Sequence, residues 1–145
     1  MLADAANMMN PVTGEPYDKE IVASLLDIMD GLLRAIGGNF GVLLNTPGCV
    51  GGNGGTGGVD HFLQLLGNCC RDSEEDVRRA ALGLVGDLCD EAPLVLQTNA
   101  AAIARVVIES ITLTDPSFRT CCSNAAWALS NITEKFGEAA LGDCF

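Results

Sequence analysis

Histidine, tryptophan and tyrosine each occur once in this 145-residue sequence, and basic residues are scarce, 8 against 19 acidic ones for a formal net charge of -11. Each shortage excludes something. So few cations on so anionic a chain disfavour nucleic acid and anionic membrane as direct partners, and the acidity instead steers basic ligands towards the surface. A single histidine, His61, and the lack of any C-x-x-C pair among the seven cysteines leave no zinc ligand set. No Gly-Lys-Ser/Thr follows the glycines, so there is no phosphate-binding loop, and Gly52, Gly54 and Gly57 match a dinucleotide fingerprint without the strand that must precede it. With no activated nucleophile either, an enzyme is the weakest reading, and neither metal nor cofactor is expected. No apolar run approaches the ~20 residues that span a bilayer, which predicts a soluble chain. No secretory signal is present and the adjacent pairs Cys69-Cys70 and Cys121-Cys122 fall in predicted helices, where neighbours point ~100° apart and do not bridge. The thiols are therefore read as reduced, small core residues.

What the chain does have is helical periodicity. In Asp72 to Cys89, DSEEDVRRAALGLVGDLC, the apolar residues Val77, Ala81, Leu84 and Leu88 recur at i, i+4, i+7 and i+11 and form one narrow stripe. Asp72 and Ser73 are placed to cap its start, and Glu74, Glu75 and Asp76 lie where the helix dipole is positive. A matching helix follows 41 positions later in Asp115 to Gly137, with Phe118, Cys122, Ala125 and Leu129 on the stripe. A third runs from Tyr17 to Ile36 through Val22, Leu25, Met29, Leu32 and Ile36, capped by Asp18 and ended by Gly37 and Gly38. Packing helices fill the gaps at Val59 to Cys70 and Ala100 to Thr112, and Pro93 opens a linker over Ala92 to Asn99. Like helices about 40 to 47 residues apart, with another between them, mark HEAT-type solenoids. The fold class is thus all-α, a HEAT-repeat solenoid of antiparallel helix pairs that begins and ends mid-repeat, as a piece of a longer superhelix would.

The resulting organisation is a frayed segment at 1–16, the second helix of a first repeat at 17–37, a glycine-rich flexible insertion at 38–58, a second repeat at 59–92, a third at 93–137 and the start of another at 138–145. Ten of the seventeen glycines lie in 37–58, and such chain loses too much entropy on ordering to pack well.

The second helix of each pair carries an unusual outer face. Opposite the apolar stripe of the last one run Thr120, Asn124, Trp127 and Asn131, and a large aromatic among polar residues on the side away from the packing reads as a contact residue. On the first, Glu20, Ser24, Asp27 and Gly31 lie in the same relation, with Arg34 one turn further; on the central one, Gly83, Gly86, Asp87 and Asp90 lie near the corresponding flank. Glycines leave backbone open to approach and carboxylates accept from Arg or Lys. Side by side, these faces make an acidic surface with one aromatic anchor.

Three stretches, IVASLLDIMDGLLRAIGG, the DSEEDVRRAALGLVGDLC run and CCSNAAWALSNITEKFG, together resemble successive C-terminal repeats of the transportin family of importin-β-type nuclear import receptors, also called karyopherin beta-2. The resemblance covers Tyr17 to Gly37 and Val59 to Gly137, most specifically Gly86-Asp87-Leu88 and Asn124 to Ala128. It implies an armadillo-like helical protein that shuttles between cytoplasm and nucleus and binds basic proline-tyrosine-type nuclear localisation signals of cargo proteins on its concave face. It places Asp27, Asp87, Asn124 and Trp127 as cargo-binding residues. It also implies Ran-GTP and nucleoporins as partners of a full-length parent, with the main Ran site outside this chain. The competing reading is a HEAT scaffold that assembles protein complexes without recognising a peptide signal.

Overall fold

In the computed structural model the described residues are 12–46, 58–112 and 115–142. Most of the glycine insertion, the first eleven residues and the last three lie outside them, so the expectations of a frayed start and a flexible insertion fall largely on residues not described. Among the described residues every regular element is helical: α1 (Lys19–Ile36), α2 (Phe40–Leu44), α3 (Gly58–Cys70), α4 (Glu75–Glu91), α5 (Pro93–Leu96), α6 (Ala100–Ile111) and α7 (Arg119–Phe136).

Local chemistry sets the boundaries. Asp18 caps α1 by accepting from the Glu20 N–H at 3.0 Å, and Gly37, at φ 53°, ends it in the left-handed region that favours glycine. Asp72 accepts from the Glu74 N–H at 3.0 Å, but it does so in the turn before α4, whose first helical residue is Glu75. The helix begins later than the acidic run suggests because Arg78 reaches back to the Asp72 carbonyl, at 2.9 Å from Nε and 2.7 Å from Nη2, and holds that turn. The linker expected after Pro93 is instead the short helix α5 followed by a 3-10 turn at Gln97–Asn99.

Two layers result. The helices α1, α4 and α7 lie side by side with α4 in the middle, and α3 and α6 pack behind α4 and α7. The expected stripe of α4 is fully buried, Val77, Ala81 and Leu88 at 0% exposure and Leu84 at 1%. Its core face is not narrow, however. Leu82, Val85, Gly86 and Cys89 are buried too, because neighbours cover α4 on both flanks as well as behind.

The flanking helices depart from their expected stripes. On α1 the buried residues are Val22, Leu26 and Leu33, whereas Leu25 and Leu32 are each 40% exposed. Ile21, Leu25, Ile28 and Leu32 make a second apolar stripe at i, i+4, i+7 and i+11, so periodicity alone did not say which stripe meets α4. On α7 the core stripe is Cys121, Ala125, Ala128 and Ile132, one residue round from the expected set apart from Ala125. Phe118 stands outside it, half-buried beneath the Arg78 guanidinium at 4.6 Å from the ring centroid.

The thiols behave as core atoms. Cys69, Cys70, Cys89 and Cys121 are buried and Cys122 half-buried, and burial pushes the Cys69 thiol up to about 11 and that of Cys89 up to about 12. One stretch, Pro93–Ile111, does reach the length and mean hydropathy (1.4) of a bilayer span, contrary to the sequence expectation. It is α5 and α6 joined by the 3-10 turn at Gln97–Asn99, and Val95, Leu96, Ile103, Val106 and Val107 all join the protein core.

Candidate functional site

The three aligned helices leave a groove of about 470 Å³ across their outer faces. From α1 it is lined by Ala23, Asp27, Asp30 and Arg34, from α4 by residues including Asp76, Arg79, Gly83 and Asp87, and from α7 by Thr120, Asn124 and Trp127. Asp27, Asp87, Asn124 and Trp127, read from the sequence as separate stripes, therefore line one space. Asp30, Asp76 and Arg79 were missed. The signal for all three was present as salt-bridge spacing on a helix, Asp30 to Arg34 at i,i+4 and Asp76 to Arg79 at i,i+3.

The side chains of α7 do not face away from all packing, as the sequence suggested. Asn131 is buried at 8% exposure and donates from Nδ2 to the Gly86 carbonyl at 3.2 Å and to Asp90 Oδ2 at 3.3 Å. Asn124 donates from Nδ2 to the Arg79 carbonyl at 3.1 Å. Gly83 meets Asn124, Gly86 meets Trp127 and Asp90 meets Asn131, each pair 41 apart as in the sequence match, and the two asparagines reach one turn back to carbonyls 45 residues away because helical side chains lean towards the N-terminus. Trp127 lies between these two asparagines with its ring on Gly86, where a Cβ would fall 2.7 Å from Cη2 and closer still to Cζ3 and Cε3. Gly83 likewise faces Asn124. The glycines of α4 were read as backbone open to a ligand. Their space is taken by α7, which lets the two helices close and leaves one side of the indole, 42% exposed, towards the groove.

Charge is concentrated between α1 and α4. Arg34 donates from Nε to Asp30 Oδ2 at 3.0 Å and from Nη2 to Asp87 Oδ2 at 2.8 Å, while Asp30 Oδ1 is buried with no hydrogen-bond partner. Burial pushes the Asp87 carboxyl up to about 6, the neighbouring Asp30 adds to the rise, and Arg34 opposes it. The native state therefore holds a proton on Asp87, between about pH 4 and about pH 6, that the unfolded chain has released. That group's contribution to stability should fall as pH rises through this window and stay low above it. Urea melts of the wild type and Asp87→Asn across the window should show the difference between them changing in that sense; a constant difference would refute the shift.

Among the described residues no group of three or more His, Cys, Asp or Glu side chains is arranged to hold a metal ion. The groove offers carboxylates, amides and an indole face, groups that can meet cationic and apolar parts of a ligand.

A HEAT repeat model matches residues 62–92, from within α3 to the end of α4. The chain is also similar to proteins named Transportin-1: 28% identical to that of Mus musculus over 136 residues, 92% of this chain, and 28% identical to that of Homo sapiens over 131 residues, 90% of this chain. For that of Oryza sativa subsp. japonica the figures are 26% over 129 residues and 86%. In each case the match spans about 13% of the relative's own length. With its layered helix pairs, this chain is an all-α HEAT-repeat solenoid that resembles Transportin-1 along most of its length.

Proposed function

We propose that this chain is a cargo-binding segment of a nuclear import receptor, and that its groove holds an extended, basic, proline-tyrosine-type nuclear localisation signal. One observation carries the reading: Asp27, Asp87, Asn124 and Trp127 arrive from the three neighbouring helices α1, α4 and α7 on a single open groove. A peptide laid across parallel helices meets each of them in turn. Asp27 and Asp87 take basic side chains, Asn124 offers an amide to the peptide backbone, and the free side of the Trp127 ring covers an aliphatic or guanidinium group. Because the chain spans only about 13% of its relatives, transport itself, shuttling between cytoplasm and nucleus, and contacts with Ran-GTP and nucleoporins belong in this proposal to a longer parent protein.

The test is a titration of the full chain with a basic peptide ending in Pro-Tyr. Binding should weaken as salt rises from about 0.1 M to about 1 M, as the Debye length shrinks from ~10 Å to ~3 Å. Asp27→Asn with Asp87→Asn should lower affinity while circular dichroism reports unchanged helix content. A chain that ignores the free peptide and binds only folded partners would be a scaffold, and the proposal would fall.

A further inference from the structure

Arg34 stands in the last turn of α1 with 61% of its side chain exposed, yet its guanidinium is held at two points by carboxylates from two different helices, Asp30 of α1 and Asp87 of α4. An exposed arginine tied down this way has given up the rotamer freedom it would otherwise keep in water. The arrangement, one fork of N–H donors set between two carboxylates at the floor of a groove, is the one an arginine from a ligand would adopt. Exposed ion pairs of this kind are weak and exchangeable, so the contact holds without being permanent. Moreover the fork reaches only one oxygen of each aspartate, and the second oxygen of Asp30 is buried without a donor. The acidic floor is thus occupied but not saturated. Four aspartates and two arginines line the groove, and without Arg34 the balance would be four to one.

We propose that Arg34 is a built-in occupant of the groove's cation site, displaced from Asp30 and Asp87 when a ligand's arginine enters. This rests on the reading that the groove takes basic peptides, and it adds a specificity element to it. A ligand must outcompete a tethered guanidinium, so a lone lysine, which offers a point charge and no fork, is rejected, and peptides with closely spaced arginines are favoured. The tether also keeps the floor from drawing in arbitrary cations, since the nearest one is always its own.

The probes are two end-labelled peptides ending in Pro-Tyr, one with three arginines and one with lysines in their place, titrated by fluorescence anisotropy. Arg34→Met keeps most of the aliphatic stem and removes the charge. It should bind the arginine peptide roughly three- to tenfold more tightly than wild type at low salt and lose most of its preference for arginine over lysine. Because two facing carboxylates left unbridged could loosen the fold, a second measurement uses the wild type alone. The Arg34 Nε–H nuclear magnetic resonance signal, assigned by its loss in Arg34→Met, should move when the arginine peptide is added. If the wild type binds but Arg34→Met binds equally or more weakly, and the Nε–H signal stays in place, the displacement idea is overturned and the groove reading stands. If neither protein binds either peptide, the groove reading fails and takes this inference with it.

Discussion

Gly86→Ala should destabilise the protein by ~2 kcal/mol, against the trend that alanine in a helix interior gains ~1 kcal/mol over glycine. The reversal follows from position. Gly86 is buried in the middle of α4 and the Trp127 ring of α7 lies against its Cα, so an added methyl group overlaps three ring carbons. Those carbons belong to a rigid indole whose helix is bonded to α4 on either side by Asn124 and Asn131. The ring therefore has to swing towards solvent, or α7 has to move off α4. The double-mutant cycle makes the cause specific. In a Trp127→Ala background the overlap is gone, and Gly86→Ala should become neutral or stabilising by up to ~1 kcal/mol, a coupling of ~2 to 3 kcal/mol between the two sites. Chemical melts of the four proteins measure it, and a Gly86→Ala penalty that persists without the indole would show that the ring is not its source.

Trp127→Ala is the second large effect, and it should appear in both stability and binding. A buried tryptophan costs ~3 to 5 kcal/mol when truncated, and one that keeps a solvent-facing side should cost roughly half as much. Its exposed side is the part of the groove suited to an aromatic contact, so loss of the ring should also weaken the basic peptide by ~2 kcal/mol, about thirtyfold in affinity. The sequence pattern read Trp127 as a contact residue on the side away from the packing. A ring with one face on Gly86 and 42% of its surface exposed packs as well as facing the groove. As the only tryptophan, Trp127 also reports on itself. Peptide should shift its emission and protect it from a soluble quencher. Unchanged peptide affinity in a variant that still melts cooperatively would remove Trp127 from the site.

The five long helices α1, α3, α4, α6 and α7, their order and the central core stripe were legible in the sequence. The reason is local: Val77, Ala81, Leu84 and Leu88 recur with helical period, Asp18 and Gly37 bound α1 by capping chemistry, and these are properties of a few neighbouring residues. The recurrence of unusual side chains on like helices marked the faces that carry Asp27, Asp87, Asn124 and Trp127, and the family resemblance singled out those four from them. Which face of each outer helix turns inward was decided only by the tertiary structure. The helix α1 carries two apolar stripes of the same period, and only the placement of α4 buries Val22, Leu26 and Leu33 and leaves Leu25 and Leu32 outside. In α7 small residues carry little hydrophobic signal, so Cys121, Ala125, Ala128 and Ile132 were chosen over Cys122 and Leu129 by the close approach that Gly83 and Gly86 permit. The charge pattern of the groove is of the same kind. Arg34 and Asp87 are 53 residues apart, and no local rule pairs them; they meet because α1 and α4 pack side by side in a register that side-chain shape sets across the whole interface.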